Sequence, residues 1–364
     1  MPPSTRHQPS HAPIPCCRRL AAWRVAGLAM LLCGMLAGGA PALAKDVLRV
    51  LAWPGYADAD VVKAFEQRHG VQVEVTLVAT DEVLREKLAD TKGPAFDVFA
   101  ANTAELKGYI DQKRVAPLAL AQIPNAQGQL ARFRNLHAIP GITRGDTPYA
   151  VPFTYSEMGL IYDRRQFSQP PASWAEMWNP KYRGKVLAYD SSAHNFSLAA
   201  QRLGLAPFRI EEAQFRQVAQ SLVSLRRNLL GFYTQPEDAV DLFRKHSVAL
   251  LFGNYGRQQV KQLRDAGLDV GYVIPAEGAL AWLDCWAVTS NARQPQLAQR
   301  WIDYMLDPAV SREFSRRQAL ANTLEEPAGA QPAEKIIWLE PVEDERRRAQ
   351  LWRRIVSGDQ PGKF

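Results

Sequence analysis

Cysteine is scarce in this sequence. The 364-residue chain contains four, and three of them lie within the first 44 residues. Only Cys285 lies beyond them, so the rest of the chain cannot form an internal disulfide bond and its stability must come from a packed core. Long apolar runs are scarce too. The run VAGLAMLLCGMLAGG covers residues 25–39, and no later run reaches the ~20 residues that a membrane-spanning helix needs.

The start of the chain has the order of features that is typical of a secretory signal peptide. Arg18, Arg19 and Arg24 precede the apolar run, and Ala42-Leu43-Ala44 provides a small-x-small cleavage site before Lys45. We therefore expect residues 1–44 to be a signal peptide and the mature protein to be exported to the periplasm. The Arg18-Arg19 pair leaves twin-arginine export open beside general secretion.

The net charge of the chain is small once residues 1–44 are removed. The formal charge of +7 includes four arginines within residues 1–44 and no acidic residue there, so the mature chain carries +3. Because no long Lys/Arg run is present, we expect no nucleic-acid partner. The histidines show no metal-ligand spacing, and the sequence has no phosphate loop or serine elbow. The sequence thus predicts no enzyme activity, no cofactor and no metal site.

The length of the mature chain favours two lobes. About 320 residues exceed the usual size of a single core. Strands alternate with amphipathic helices, which predicts an α/β architecture. We assign residues 45–149 plus about 287–330 to the first lobe, 150–286 to the second lobe with crossing strands, and 331–364 to a C-terminal helical segment. The pattern also predicts one helix from Pro295 to Phe314.

Unusual side chains follow several predicted strands. Trp53 and Tyr56 flank Pro54-Gly55 after the first strand, where turns usually carry small polar residues. Asn102 follows the third strand, and Asp190-Ser191 follows a strand of the second lobe. Ligands of open α/β sheets lie beyond the carboxyl ends of strands, and clefts between lobes favour small molecules. These strand ends therefore predict a ligand cleft between the lobes.

Five segments together resemble a known family. LAWPGY follows the first strand, FDVFAANTAELKGYID contains the third, YAVPFTYSEMGLIYD opens the next block, SWAEMWNPKYRGKV lies in the second lobe, and AEGALAWLDCWAVTSNA leads back to the first lobe. In their order and spacing they are similar to the periplasmic spermidine/putrescine-binding proteins of ABC transporters. The resemblance runs from about Val47 to about Thr323.

The resemblance implies a fold and a ligand. The fold is the α/β, two-lobed type II periplasmic binding-protein fold with a hinge of crossing strands, which closes around a linear polyamine. Rings hold the methylene chain and carboxylates hold the ammonium groups, consistent with cation–π attraction and charge-assisted hydrogen bonds. By match to the family, Trp53, Tyr56 and Trp282 are rings of the site, Asp284 is an acid, and Asn102 is a polar cleft residue. The family also implies a monomer that delivers its solute to an inner-membrane ABC permease.

The sequence departs from the family at the second ammonium anchor. Phe252 replaces a tryptophan and keeps a ring, whereas Glu157 stands where the family has a small residue. Asp190 is the acid nearest the strand end where the family often has a further carboxylate. We expect Glu157 or Asp190 to supply the second anchor, and Ser191 and Tyr255 to contact the ligand.

Three alternatives stay open. Trp53, Tyr56 and Asp284 could serve packing and structural hydrogen bonding instead of ligand binding. The same fold could bind another small solute, such as an amino-acid-derived or opine-like compound, or act as a sensor input. An enzyme with Cys285 as its nucleophile would need an activating base, and the sequence offers no convincing histidine for that role.

Overall fold

The structure, a computed structural model, describes residues 45–90, 93, 95–327 and 335–358. The predicted signal peptide lies outside these residues. The strands in chain order are β1 Val47–Ala52, β2 Gln72–Leu77, β3 Val98–Asn102, β4 Thr143–Arg144, β5 Thr147–Pro148, β6 Ala150–Glu157, β7 Leu160–Asp163, β8 Val186–Tyr189, β9 Leu229–Tyr233, β10 Leu250–Phe252, β11 Val270–Val273, β12 Ala279–Val288, β13 Ala321–Asn322 and β14 Ile336–Trp338. The α-helices are α1 Ala59–His69, α2 Asp81–Ala89, α3 Thr103–Asp111, α4 Ala131–Arg134, α5 Ser192–Arg202, α6 Glu212–Arg226, α7 Pro236–Lys245, α8 Arg257–Asp265, α9 Pro295–Met305, α10 Pro308–Gln318 and α11 Glu345–Ser357.

The first lobe is built on a sheet with the strand order β13-β6-β12-β3-β1-β2. β1 pairs in parallel with β2 and β3, whereas β12 runs antiparallel to β3 and β6. β14 pairs in parallel with the start of β12, where Ile336 lies opposite Ala279. All ten residues of β12 are buried, because the strand has neighbours on both edges and packs against α3 and α9.

The second lobe is built on a sheet with the order β11-β7-β10-β8-β9. The chain passes from the first sheet to the second between β6 and β7, and it returns between β11 and β12. The predicted two-lobed α/β fold with crossing strands is therefore confirmed. The crossing strands β6 and β12 are hydrogen bonded into the first sheet. The residue limits that we assigned to the lobes stay a proposal.

The helix predicted from Pro295 to Phe314 is wrong, because two helices, α9 and α10, occupy this stretch. Pro308 lacks a backbone N–H, and its ring clashes with a preceding helical turn, so α9 cannot continue through it. Asp307 then caps α10 by accepting hydrogen bonds from the N–H groups of Ala309 (2.9 Å) and Val310 (3.4 Å). Proline suits the first position of a helix, where its missing N–H leaves no bond unmade.

The C-terminal helix α11 packs against α5 and α6 of the second lobe and is fixed there by Arg348. This side chain is 0% exposed. Its guanidinium donates two hydrogen bonds to Glu343 (2.8 and 2.6 Å), one to Ser197 Oγ (2.8 Å) and one to Pro207 O (2.9 Å). A buried charge needs partners of this kind. Because β14 belongs to the first sheet, the segment from β14 to α11 connects the two lobes a third time.

Candidate ligand-binding cleft

A cavity of about 40 Å³ lies between the two lobes. We call it the inner cavity. Its walls come from both lobes and from the segment after β14. The lining residues are Trp53, Tyr56, Asp81, Asn102, Tyr189, His194, Asn254, Tyr255, Gln258, Trp282, Asp284 and Leu339. Six of the residues predicted from the sequence are brought together here, namely Trp53, Tyr56, Asn102, Tyr255, Trp282 and Asp284.

The turn after β1 presents two rings to the inner cavity. Its backbone closes through a hydrogen bond from Tyr56 N–H to Trp53 O (3.1 Å). Pro54 and Gly55 occupy the two central positions, and Gly55 has φ +85°, as a type II turn requires. A Cβ at Gly55 would lie 2.5 Å from the side chain of Gln318. Pro54-Gly55 therefore sets the spacing of the two rings, which explains its place between them.

The acid predicted from the sequence lies on the long central strand β12. Trp282 and Asp284 are two residues apart, so they share a face of the sheet, and both line the inner cavity. Tyr56 donates a hydrogen bond from its hydroxyl to Asp284 Oδ2 (2.7 Å). Burial raises the pKa of Asp284 to about 7, although the hydrogen bond from Tyr56 acts in the opposite direction. The folded protein therefore disfavours an unpaired charge on Asp284.

A second carboxylate, Asp81, faces the same cavity. It is the first residue of α2, but Thr80 caps this helix by accepting a hydrogen bond from Val83 N–H (3.3 Å). The carboxylate of Asp81 is thus left for the cleft, where Asn102 Nδ2 donates to its Oδ1 (3.1 Å). Asn102 lies opposite Asp284 in the pairing of β3 with β12. Asn102 therefore contacts Asp81 through its side chain and pairs with Asp284 through its strand, so both acids lie on the same wall.

The carboxylate of Asp81 lies near other acids, whose effect on its pKa outweighs that of Arg85. Burial, followed by the negative charges of Glu105 and Glu82, raises the pKa of Asp81 well above its usual value. His194 Nε2 lies 3.9 Å from Asp81 Oδ2. Burial lowers the pKa of His194 to about 4, so the imidazole is neutral at physiological pH and does not neutralise the acid.

Three polar atoms of the lining residues lack a hydrogen-bond partner by distance and angle among the described residues. They are Nε1 of Trp53, Nδ1 of His194 and Oδ1 of Asn254. The side chains of His194 and Asn254 nevertheless interact with each other, which opposes the lowering of the pKa of His194 by burial. These two residues therefore lie side by side in the cavity wall, with 6% and 7% of their surfaces exposed.

Hydrogen bonds join the two lobes across the cavity. Tyr189 of the second lobe donates from its hydroxyl to Ala79 O of the first lobe (2.7 Å). The hydroxyl of Tyr255 lies 3.2 Å from the same carbonyl, but it donates its proton to Thr234 O of the second lobe (2.7 Å). Trp282 Nε1 donates to Asn254 O (3.0 Å). The lobes are thus in direct contact around the two acids.

Three predicted residues lie elsewhere in the second lobe. Phe252 is fully buried, and its ring packs at 5.6 Å against Trp174. Ser191 is the N-cap of α5. Asp190 accepts a hydrogen bond from Trp352 Nε1 of the C-terminal helix (2.8 Å). None of the three lines the inner cavity, because packing, capping and this hydrogen bond hold their side chains.

Glu157 also lies outside the inner cavity. It ends β6 and lines a separate groove of about 700 Å³, where Arg257 Nε lies 3.9 Å from its carboxylate. The second anchor expected from the sequence at Glu157 or Asp190 is therefore not on the cavity wall. Asp81 is on that wall instead.

The environment of Cys285 does not favour a nucleophilic role for its thiol. Cys285 is 0% exposed, and burial raises the pKa of its thiol well above the usual value, which disfavours the reactive thiolate. Within the described part of the chain, no group of three or more His, Cys, Asp or Glu side chains could hold a metal ion. Among the same residues, no helix is both long enough and apolar enough to cross a membrane.

Comparison with known proteins decides the family. The family model described as bacterial extracellular solute-binding protein matches residues 60–334. The chain belongs to this family. Family members are non-enzymatic solute-binding proteins of ABC transporters, so this solute-binding protein is not an enzyme that uses Cys285.

Individual relatives agree with the resemblance found in the sequence. The spermidine/putrescine-binding periplasmic protein of Salmonella typhimurium is 24% identical over 292 residues, which cover 77% of this chain and 81% of the relative. The putrescine/agmatine-binding protein of Pseudomonas aeruginosa is 25% identical over 351 residues, which cover 86% and 93%. The solved TpPotD lipoprotein of Treponema pallidum has a TM-score of 0.73 at 17% identity, covering 85% of this chain and 99% of its own. At this level of identity, the similarity to the solved structure shows the fold alone.

Proposed function

We propose that this solute-binding protein captures a small cationic amine of the polyamine type in the periplasm and delivers it to an inner-membrane ABC permease. One observation carries the proposal. Asp81 and Asp284 line a single ring-walled cavity, and among the described residues neither has a lysine or arginine side chain within 4.0 Å of its carboxylate. An ionised carboxylate that is removed from water needs a partner, and ligand ammonium groups supply it.

The rings around the acids suit the rest of such a ligand. The rings of Trp53, Trp282 and Tyr255 line the inner cavity, where they can pack against a methylene chain. A cation over the face of such a ring gains about 0.5–2 kcal/mol. An anionic ligand would instead meet two carboxylates. The names of the relatives, which refer to spermidine, putrescine and agmatine, support an amine.

The proposed site keeps most of the predicted residues and changes the second anchor. Asp284 and Asp81 hold the charged groups, Asn102 orients Asp81, and the rings surround the chain. Glu157, Asp190, Ser191 and Phe252 are left out, because other contacts hold them outside the cavity. We further propose that the protein is a monomer.

A thermal-shift screen tests the function. The mature chain is heated with diamines, triamines, amino acids, opine-like compounds and organic anions. A ligand that binds only the folded state adds RT ln(1 + [L]/Kd), about 2.7 kcal/mol at a hundredfold excess over Kd. We expect amines to raise the melting temperature and the double variant Asp81→Asn/Asp284→Asn to lose this response while it still folds. Stabilisation by anions, by amino acids or by opine-like compounds, with none by amines, would contradict the proposal.

A further inference from the structure

A second chamber adjoins the inner cavity. It has a volume of about 210 Å³ and shares with the inner cavity the side chains of Asp81, Asn102, His194 and Leu339. We call it the outer chamber. The inner cavity has room for about three waters, at roughly 10–15 Å³ each. Even a short diamine has more non-hydrogen atoms than that. A ligand held at Asp284 therefore reaches Asp81, at the passage from the inner cavity to the outer chamber.

Arg85 is the base shared by two acids of the outer chamber, Glu105 and Glu345. It lies one helical turn after Asp81, on the same face of α2. Its guanidinium forms an ion pair with Glu345 of the C-terminal helix and lies 3.4 Å from Glu105 and 3.7 Å from Glu82. The protein thus already places one cation of its own among these carboxylates.

The remaining acids of the outer chamber are also paired with bases. Asp111 pairs with Lys107 (2.9 Å) and with Arg144. Glu340 lies 3.8 Å from Arg209. Among the described residues that line the two spaces, the carboxylates without a lysine or arginine partner within 4.0 Å are Asp81 and Asp284.

His194 adds no positive charge beside Asp81. It is buried and neutral, and its side chain interacts with that of Asn254. It stands on the wall that the two spaces share. The ammonium group of a ligand at this wall therefore meets the carboxylate of Asp81 without a competing cation from His194.

Resting on the proposed function, we propose that the site takes a dication of diamine length, and that Arg85 is the residue that sets this limit. One ammonium group binds Asp284 inside the inner cavity, and the other binds Asp81 at the passage. A third ammonium group would have to enter the outer chamber, where Arg85 already lies between Glu105 and Glu345 and its fixed charge competes with a second cation for these carboxylates. Arg85 thereby discriminates against linear triamines.

Calorimetric titration of a chain-length series tests this inference. Putrescine and spermidine are titrated into wild type, Arg85→Gln and Arg85→Lys. We expect wild type to bind putrescine at least tenfold more tightly than spermidine. Arg85→Gln frees Glu105 and Glu345, so it should improve spermidine binding at least tenfold and change putrescine binding less than threefold. Arg85→Lys keeps the charge and should keep the preference.

Two controls separate the effect of Arg85 from a general change in charge. Lys107→Gln removes a positive charge from the same chamber, where Asp111 keeps Arg144, and should leave the ratio of the two dissociation constants unchanged. Adding Glu105→Gln to Arg85→Gln should remove part of the gain for spermidine, because Glu345 remains free. The melting temperature of each variant reports whether it folds.

The outcomes distinguish the inference from the function on which it rests. If wild type binds spermidine as tightly as putrescine, or if Arg85→Gln and Lys107→Gln change the ratio equally, the length limit is wrong and the amine-binding function stands. If wild type binds neither amine, the proposed function fails and the inference fails with it. The wild-type comparison decides even if Arg85→Gln does not fold.

Discussion

Burial raises the pKa of Asp284 to about 7, against the lowering effect of the hydrogen bond from Tyr56. The ligand-free cleft thus tolerates the acid best in its neutral form. An ammonium ligand changes this balance, because it supplies the positive charge that the ionised form lacks. Single residues of this kind decide which sign of charge the cleft accepts.

The first prediction concerns the charge of Asp284. Asp284→Asn keeps the size of the side chain and an oxygen that accepts from Tyr56, but it removes the charge. We expect affinity for the preferred amine to fall by roughly 2–5 kcal/mol, the usual cost of truncating a buried charge pair. The ligand-free variant should melt no earlier than wild type at pH 8, because an unpaired buried charge is gone.

Calorimetry and thermal melting measure both effects. Asp241→Asn is the matched control, because Asp241 forms an exposed ion pair with Lys245 on α7, and such pairs contribute little. An unchanged dissociation constant for Asp284→Asn would remove Asp284 from the site.

The second prediction concerns pH. The folded, ligand-free protein holds the proton of Asp284 up to about pH 7, whereas the unfolded chain releases it near 3.8. The folded state therefore binds more protons between about pH 4 and 7, and this residue lowers the free energy of unfolding as the pH rises through that range. An ammonium ligand lowers the pKa again. Amine binding at pH 6 should release protons and be weaker than at pH 8.5.

Titration in buffers with different enthalpies of ionisation measures this proton release. Asp284→Asn should release fewer protons at pH 6 than wild type. Asp81, whose pKa burial also raises, accounts for the remainder. Equal proton release by wild type and by Asp284→Asn would contradict the assignment to Asp284.

Individual residues also differ in how well the sequence predicts them. The alternation of a strand puts Trp282 and Asp284 on one face, and this prediction needs only local geometry. Asp81 is not predicted as a site residue from the sequence, because an acid at the start of a helix is usually interpreted as part of the helix cap. Asp190 was expected to face the ligand, but its partner Trp352 lies 162 positions away. No local pattern reveals such a contact.

At the scale of elements, the C-terminal segment is the least expected part of the fold. The sequence predicts a helical segment at residues 331–364, and the structure has α11 within it at Glu345–Ser357. The sequence does not reveal that β14 joins the first sheet while α11 packs on the second lobe. Leu339, between the two, lines the inner cavity. This segment therefore belongs to the cleft as well as to the core.

The third prediction concerns the attachment of α11. Arg348→Ala removes a fully buried guanidinium and leaves Glu343 without its partner. Breaking a buried pair in this way typically costs about 3–5 kcal/mol. We expect a clearly lower free energy of unfolding in urea.

Arg353→Ala is the control for this change. Arg353 lies on the same helix but is exposed, and we expect its replacement to change stability by less than about 0.5 kcal/mol. Equal losses for the two variants would mean that Arg348 contributes nothing through its buried contacts.

At the scale of the whole molecule, the cleft is narrow because the lobes contact each other. The crossing strands allow hinge motion, and binding proteins of this class are expected to close around their solute. Tyr189, Tyr255 and Trp282 make their cross-lobe contacts at the rim of the inner cavity. These contacts exist only while the lobes are closed, so each one adds to ligand affinity through the closed state.

The last prediction tests this coupling with Tyr189→Phe. The change keeps the ring and removes the hydroxyl that donates to Ala79 O. A typical hydrogen bond contributes about 0.5–1.5 kcal/mol, so amine affinity should fall roughly two- to twelvefold. The loss should show mainly as faster dissociation in stopped-flow measurements, because the closed complex opens more easily. Tyr304→Phe is the matched control, since its hydroxyl donates to Val61 O within the first lobe (3.1 Å). We expect that variant to bind and release the amine as wild type does. If Tyr189→Phe leaves both constants unchanged, or if Tyr304→Phe weakens binding equally, contact between the lobes does not control ligand retention.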